Sequence, residues 1–286
     1  MSQTTIDRLG DPDGRTAQSQ RASQPIRPPT AGPDRRKWLA LAVLMAANFM
    51  NLVDVTIVNV ALPSIQRDLG ASFGAIQWVT GGYALAFAAL LVTGGRLGDL
   101  LGRRRVFLLG LSGFTIASVA CGLATGPAWL VSARLLQGGC AAMMVPQVLS
   151  IMNVTFSPAE RGKVFGMLGA IVGLGAVSGP LLGAVLTQAD LFGLQWRPIF
   201  LVNLPIGMLA LWLGRRWVEE SKATRPLRLD LIGVALAVVA AVLLIYPLTT
   251  GVQAGWPAYD LVMMAASPVV AAAFIRYEQL KDRRGG

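Results

Sequence analysis

The sequence predicts an all-α integral membrane protein, on three observations. Of 286 residues, 54% are hydrophobic and 14% charged, with a mean hydropathy of +0.56, which leaves too little polar surface to coat a water-soluble domain. The apolar residues gather into eight stretches close to bilayer length, hydrocarbon about 30 Å thick requiring roughly 20 residues per helix. The basic residues sit on alternate links between those stretches, which is how a multi-span chain records its orientation.

In chain order, residues 1–37 are rich in Pro, Ser, Gln and Arg and poor in large apolar residues, a composition that reads as a disordered cytoplasmic tail. No cleavable signal peptide is evident. The first apolar run begins near residue 39 and is too long for a signal sequence, so it reads as a retained span. The spans are expected at 39–61, 75–94, 106–125, 129–154, 164–187, 199–213, 231–250 and 258–275. Spans 6 and 8 read short, with Pro198, Pro257 and Pro268 blurring an end or bending the helix. The first six form a bundle over 38–217, two more fill 218–280, and 281–286 is a cytoplasmic end.

The net charge of +10 raises the question of nucleic-acid binding, and the positions of the 25 Lys and Arg residues answer it. The tail, the links 2–3, 4–5 and 6–7 and the C-terminal end hold all but three of them; Arg67 and Arg197 lie on the opposite links and Arg134 inside span 4. The asymmetry puts both termini in the cytoplasm and reads as topology in the cytoplasmic membrane, with lipid and not nucleic acid as the partner. The two cysteines, Cys121 and Cys140, fall within spans as small packing residues, and the chain has no histidine. No metal-ligand cluster, nucleophile–base pair or cofactor fingerprint is expected, so the chain does not read as an enzyme.

Ionisable groups in hydrocarbon are costly and mark function, and Asp54 and Arg134 stand out. At 1.5 Å per residue each lies a few residues toward the outside of its span's midpoint, so the two share a depth and an ion pair is geometrically allowed. Asn48, Asn51 and Asp54 repeat at i, i+3 and i+6, and Arg134 with Gln137 does the same on span 4. Two polar stripes point to a wet cavity, with Asn48, Asn51, Asn59 and Gln137 as its candidate lining. There burial and a neighbouring Arg pull a carboxylate's proton affinity in opposite directions, so a ligand that moves the Arg would couple to a proton. A permanent structural pair that only offsets burial is the plainer alternative.

Span 5 carries Gly162, Gly166, Gly169, Gly173, Gly175, Gly179 and Gly183 with Pro180 among them. This spacing lets helices approach closely, and the proline frees a carbonyl and predicts a bend. Between spans 2 and 3 runs Gly95-Arg-Leu-Gly-Asp99-Leu-Leu-Gly102-Arg-Arg-Arg105. The glycines permit a tight turn, and Asp99 among Arg96, Arg103, Arg104 and Arg105 can latch helix ends in one state and release them in another.

That line resembles the cytoplasmic signature of the major facilitator superfamily, G-x-L-x-D-x-x-G-R-[RK], at Gly95, Leu97, Asp99, Gly102, Arg103 and Arg104, with Leu100 where an Arg is common. Residues 52–63 around Asp54, 134–139 from Arg134, 175–183 from Gly175 to Gly183, and 196–207 from Trp196, with Pro198 at a position more often aromatic, resemble its fourteen-span drug:H⁺ antiporter branch. The resemblance covers about 38 to 280. It implies an N-terminal six-helix bundle plus two linker helices. Asp54 and Arg134 would then couple protons, Gly95, Asp99, Gly102, Arg103 and Arg104 form an inner gate, and Gly175, Gly179, Pro180 and Gly183 form an antiporter motif.

Such families close with a second six-helix bundle, against which the first rocks, and here that bundle is absent. A truncated record or frameshifted gene is the favoured expectation, with a separate C-terminal half or a second copy as alternatives. The resemblance therefore implies proton-coupled efflux of a small amphipathic organic substrate, an antibiotic or other drug. An inactive membrane remnant or interaction fragment, and a uniporter or symporter of the same fold, are the alternatives.

Overall fold

Long apolar runs punctuated by Gly, Ser and Pro become helices whose ends are set by those punctuating residues. The computed structural model describes residues 35–223 and 231–283. Within them the chain forms α1 (Arg35–Leu69), α2 (Phe73–Leu101), α3 (Arg103–Gly122), α4 (Pro127–Thr155), α5 (Pro158–Gln188), α6 (Pro198–Trp217), α7 (Leu231–Ala254) and α8 (Ala258–Arg283), with no strand among the described residues. All eight are long and apolar enough to cross a membrane. Residues 1–34 of the expected tail, Arg225 and Arg228 of the link after α6, and residues 284–286 lie outside the described residues.

The helices overrun the hydropathy boundaries because capping, not apolarity, decides where they stop. Ser72 accepts from the Ala75 N–H at 3.3 Å to start α2, and Pro127, Pro158 and Pro198 open α4, α5 and α6, where a missing N–H costs nothing. Glu160 reaches back to the Ser157 N–H at 3.1 Å in a capping box. The spans read as short are not: α6 covers 20 residues and α8 covers 26, with Pro268 inside α8. Nor is α5 interrupted at Pro180. Helix α6 is the discontinuous one, dividing at Val202 into Pro198–Leu201 and Asn203–Trp217.

Helix α4 lies against α2 and α3, α6 against α3, and α7 against both α2 and α8. The buried apolar residues form two clusters. One gathers Leu41, Leu44 and Met50 of α1 with Phe107, Leu111 and Phe114 of α3 and Met144 and Val148 of α4. The other gathers Val53, Ile57 and Ile65 of α1 with Val79, Leu130, Trp196, Ile199 and Phe200. At the seam on α1, between Met50 and Val53, a buried polar layer crosses the bundle, and this layer is the candidate site.

Candidate functional site

The layer is built on the helix-spaced stripe of α1. Asp54 is fully buried and meets Arg134 of α4, whose Nη1 donates to Asp54 Oδ2 at 2.6 Å. Two further donors converge on Asp54 Oδ1, Gln137 Nε2 and Asn203 Nδ2, each at 2.8 Å. Arg134 is also committed: its Nε donates to the Val79 carbonyl at 3.0 Å and its Nη1 lies 2.7 Å from Gln137 Oε1. Ser118 extends the layer, donating to the Phe200 carbonyl and accepting from Asn203 Nδ2, both at 2.9 Å. Buried ions persist where their polar atoms find partners, and here three donors converge on the Asp54 carboxylate.

Aromatic rings complete the shell. The Arg134 guanidinium lies 4.3 Å from the Tyr83 ring centroid and 5.8 Å from that of Phe200. Tyr83 Oη donates to Asn51 Oδ1 at 2.6 Å, so α2 is tied to the same stripe of α1. Tyr83 and Phe87 stack with centroids 6.2 Å apart.

A cavity of about 450 Å³ opens beside this layer, lined by α1, α2, α4 and α5. Its walls are apolar, including Leu52, Phe87, Val148 and Val172, with Asn48, Asn51 and Tyr83 as the polar edge. This redraws the expected lining. Asn48 and Asn51 face the cavity; Gln137 is sealed against Asp54, and Asn59 is exposed, donating to its own helix at the Val55 carbonyl. Asp54 and Arg134 lie behind the cavity wall rather than in it. The acid itself is 0% exposed and is met by the neighbouring amides of Gln137 and Asn203.

Asn203, Tyr83 and Ser118 carry this network and were not candidates from the sequence. The signal for Asn203 was present, as an amide inside an otherwise apolar span.

At the opposite end of α2 the signature line proves mostly helical. Gly95 and Asp99 lie in the last turns of α2, and the link to α3 is the single residue Gly102. Only Gly102 needs to be glycine for its backbone, with φ +112°. A Cβ on Gly95 would make only an ordinary contact with Pro146, at 3.7 Å. Arg103 grips Asp99 with its Nη2 2.7 Å from Oδ1. Glu220, beyond the end of α6, supplies what Gly102 lacks as a cap: its Oε1 accepts the Arg104 N–H at 3.1 Å, and its Oε2 lies 3.7 Å from Arg105. The Arg104 side chain reaches the Arg215 carbonyl. The Arg103 N–H donates to the Ser221 carbonyl at 2.9 Å, so residues after α6 strap this turn.

The glycines of α5 divide into two sets. Gly175, Gly179 and Gly183 are buried against α1, where added Cβ atoms would strike Leu52, Thr56 and the Ile57 carbonyl, the last at 3.0 Å. Gly162, Gly166, Gly169 and Gly173 have nothing within 4 Å, and Pro180 is exposed. The α1–α5 crossing therefore rests on one glycine rung per turn beside Asp54.

The chain matches known proteins over most of its length. A model of the Major Facilitator Superfamily matches residues 44–285. The chain is 47% identical over 254 residues to a probable actinorhodin transporter of Streptomyces coelicolor, covering 89% of this chain and 44% of that one. It is 45% identical over 227 residues to the puromycin resistance protein pur8 of Streptomyces alboniger, covering 79% and 44%. It thus spans about half the length of the curated relatives it matches. Among solved structures, a bacterial homologue of the human lysosomal transporter Spinster superposes with a TM-score of 0.56 at 20% identity, over 85% of this chain and 61% of that one, a likeness of fold. With a buried acid–arginine layer, a one-residue Gly102 turn and a family match over most of its length, this multi-pass membrane chain belongs to the Major Facilitator Superfamily.

Proposed function

We propose that this chain forms one side of a proton-coupled exporter that moves small amphipathic organic molecules out across the inner (cytoplasmic) membrane, with both termini cytoplasmic. The observation that carries the reading is the double use of Tyr83. One part of its side chain lines the cavity beside Asn48 and Asn51, while its ring lies under the Arg134 guanidinium that holds Asp54. A molecule seated against Tyr83 therefore touches the support of the arginine without touching the acid.

Magnitudes assign the roles. A ring supporting a buried guanidinium is worth about 2 kcal/mol or somewhat more, whereas leaving one member of a buried ion pair without its partner costs about 3–5 kcal/mol. Displacing Tyr83 loosens Arg134 without freeing it. A proton on Asp54 removes the stronger hold and lets Arg134 turn to other acceptors, Gln137 Oε1 and the Val79 carbonyl being already in reach. Substrate and proton thus act on one arginine from two sides, the condition for exchange. Asp99, Gly102, Arg103 and Arg104 serve as the inner gate, and Gly175, Gly179, Pro180 and Gly183 let α1 and α5 move as one. Alternating access needs a second bundle, supplied by more of the same polypeptide, by a separate C-terminal half or by a second copy.

The cargo proposed, an antibiotic or other drug, is supported by the names of relatives such as the tetracenomycin C resistance and export protein of Streptomyces glaucescens and by a cavity with apolar walls and a hydrogen-bonding edge. Vesicles carrying the protein and a fluorescent amphipathic dye test the reading. An imposed pH gradient should drive dye against its own gradient, and Asp54→Asn should abolish that while leaving dye binding intact. Gradient-driven export at the wild-type rate in Asp54→Asn refutes the proton assignment; dye movement indifferent to pH indicates a uniporter, and movement along with protons a symporter. Movement only when a second half is co-expressed identifies that half as the partner, and none under any of these conditions leaves the remnant reading.

A further inference from the structure

The hairpin between α7 and α8 holds a second buried acid that the Asp54 layer does not use. Asp260, in the first turn of α8, is 0% exposed, and neither carboxylate oxygen has a hydrogen-bond partner. It points at the last turn of α7: a Cβ on Gly251 would lie 3.2 Å from Asp260 Oδ2 and 2.8 Å from Cε3 of Trp256. Counting only Asp54 and Arg134 as ionisable groups within the spans overlooked it, although Asp260 stands third in the expected span 8.

No counter-charge is at hand among the described residues. Helix α7 contains no Asp, Glu, Lys or Arg, and its one titratable side chain is Tyr246. On α8 the nearest basic residue is Arg276, sixteen positions and roughly 24 Å along the helix; Tyr259 beside Asp260 is exposed. Helix α2, which packs on α7 where Gly81 meets Thr249 and Trp78 meets Tyr246, carries no charged residue before Arg96, and its Tyr83 is engaged with Asn51. At the same end of the bundle, Arg67 donates to the Pro63 carbonyl, and Arg197 pairs with Asp68 at 2.9 Å. The N-terminal dipole of α8 favours an anion in its first turn, but its effect is small beside the desolvation of an unpaired carboxylate. The last carbonyls of α7 lack intrahelical partners; that of Gly251 accepts the Trp256 N–H at 2.9 Å, and the carbonyls beyond it add negative character to the same end.

We propose that this hairpin binds a small hard cation, with Asp260 as the charged ligand and end carbonyls of α7 as neutral ones. Complete burial limits the occupant to a proton or a bare alkali ion such as sodium. The hairpin tip is a way in: Gly255 and Trp256 are both left-handed, φ +69° and +55°, and Trp256 is 39% exposed with its ring edge against Gly251. An aromatic residue in that conformation is strained, and the Trp256 ring and the Asp260 carboxylate both border Gly251.

Two arms on the purified full chain in lipid nanodiscs test the site and separate the sources. The first is binding of radioactive sodium at fixed pH, with choline as the inert replacement. The second is the infrared carboxyl difference spectrum between acid and alkaline buffers. We expect either one sodium bound per chain or a protonated-carboxyl signal that persists in Asp54→Asn, and the isosteric Asp260→Asn should abolish whichever occurs. Cation addition should also change tryptophan fluorescence, and Trp256→Phe should remove that change, which places the site on the hairpin even if Asp260→Asn fails to fold. Absence of both signals in the wild type, or no loss from either of them in a folded Asp260→Asn protein, overturns the proposal. The Asp54 reading stands or falls separately, since none of these measurements requires transport.

Discussion

Two Asp–Arg pairs of nearly equal length sit at different levels of this bundle, one joining two helices and one local, and their surroundings differ sharply. Asp54 and Arg134 meet at 2.6 Å with side chains 0% and 1% exposed, whereas Asp99 and Arg103 meet at 2.7 Å with 28% and 14%. The first pair is closed: two amides and a carbonyl take up what the ions leave over, and none of them lines the cavity. The second is open, with Glu220 and the strap beyond α6 offering alternative partners to the neighbouring residues Arg104 and Arg105. The same contact is thus costly to open where both side chains are buried and readily exchanged where they are not, because water competes for the second far more than for the first.

The largest effect should come from opening the closed pair on one side. Arg134→Ala strands the Asp54 carboxylate with two amide donors and should cost about 3–5 kcal/mol, whereas replacing both members, Asp54→Leu with Arg134→Met, should recover most of that loss. Denaturant unfolding in detergent reads both values. A cost under about 1 kcal/mol for Arg134→Ala would place the buried pair in the class of surface pairs and erase the contrast.

The contrast was only half legible in the sequence. The eight helices, the depth shared by Asp54 and Arg134 and the acid–arginine turn followed from span length, helix spacing and charge, all local properties of the chain. Asn203 was not legible as the third ligand of Asp54, because its place depends on α6 dividing at Val202 and on Ser118 of α3 meeting it. Glu220 was equally hidden, being a residue past a helix end that folds back over Gly102. Asn59 misled in the other direction: it lies in the same apolar span as the stripe, but five residues past Asp54 a helical position has turned to another face.

Gly102→Ala comes next, and it probes the open site through its backbone. At φ +112° a side chain is strained, by about 1–3 kcal/mol, and its Cβ would lie 2.5 Å from Glu220 Oε1. Adding Glu220→Ala removes the steric contact but not the strain, so the double variant should recover only part of the loss. Full recovery would mean that the clash alone makes this position glycine. Back at the closed site, Tyr83→Phe keeps the ring under Arg134 and loses one buried hydrogen bond to Asn51, a net change of about 0.5–1.5 kcal/mol in unfolding. In the vesicle assay Tyr83→Ala should uncouple dye from protons and Tyr83→Phe should not.

The smallest stability effect belongs to the pair that looks most like the large one. Asp99→Asn deletes a 2.7 Å ion pair, yet at this exposure the loss should be at most about 1 kcal/mol, and it should shrink as salt rises, since at about 1 M the screening length falls to about 3 Å. The same salt series should leave the cost of Arg134→Ala unchanged, because mobile ions do not reach a pair with 0–1% exposure. Measured together, the two salt slopes test the comparison without relying on absolute stabilities. Parallel slopes would show that solvent and its ions reach Asp54, turning the closed pair into an open one.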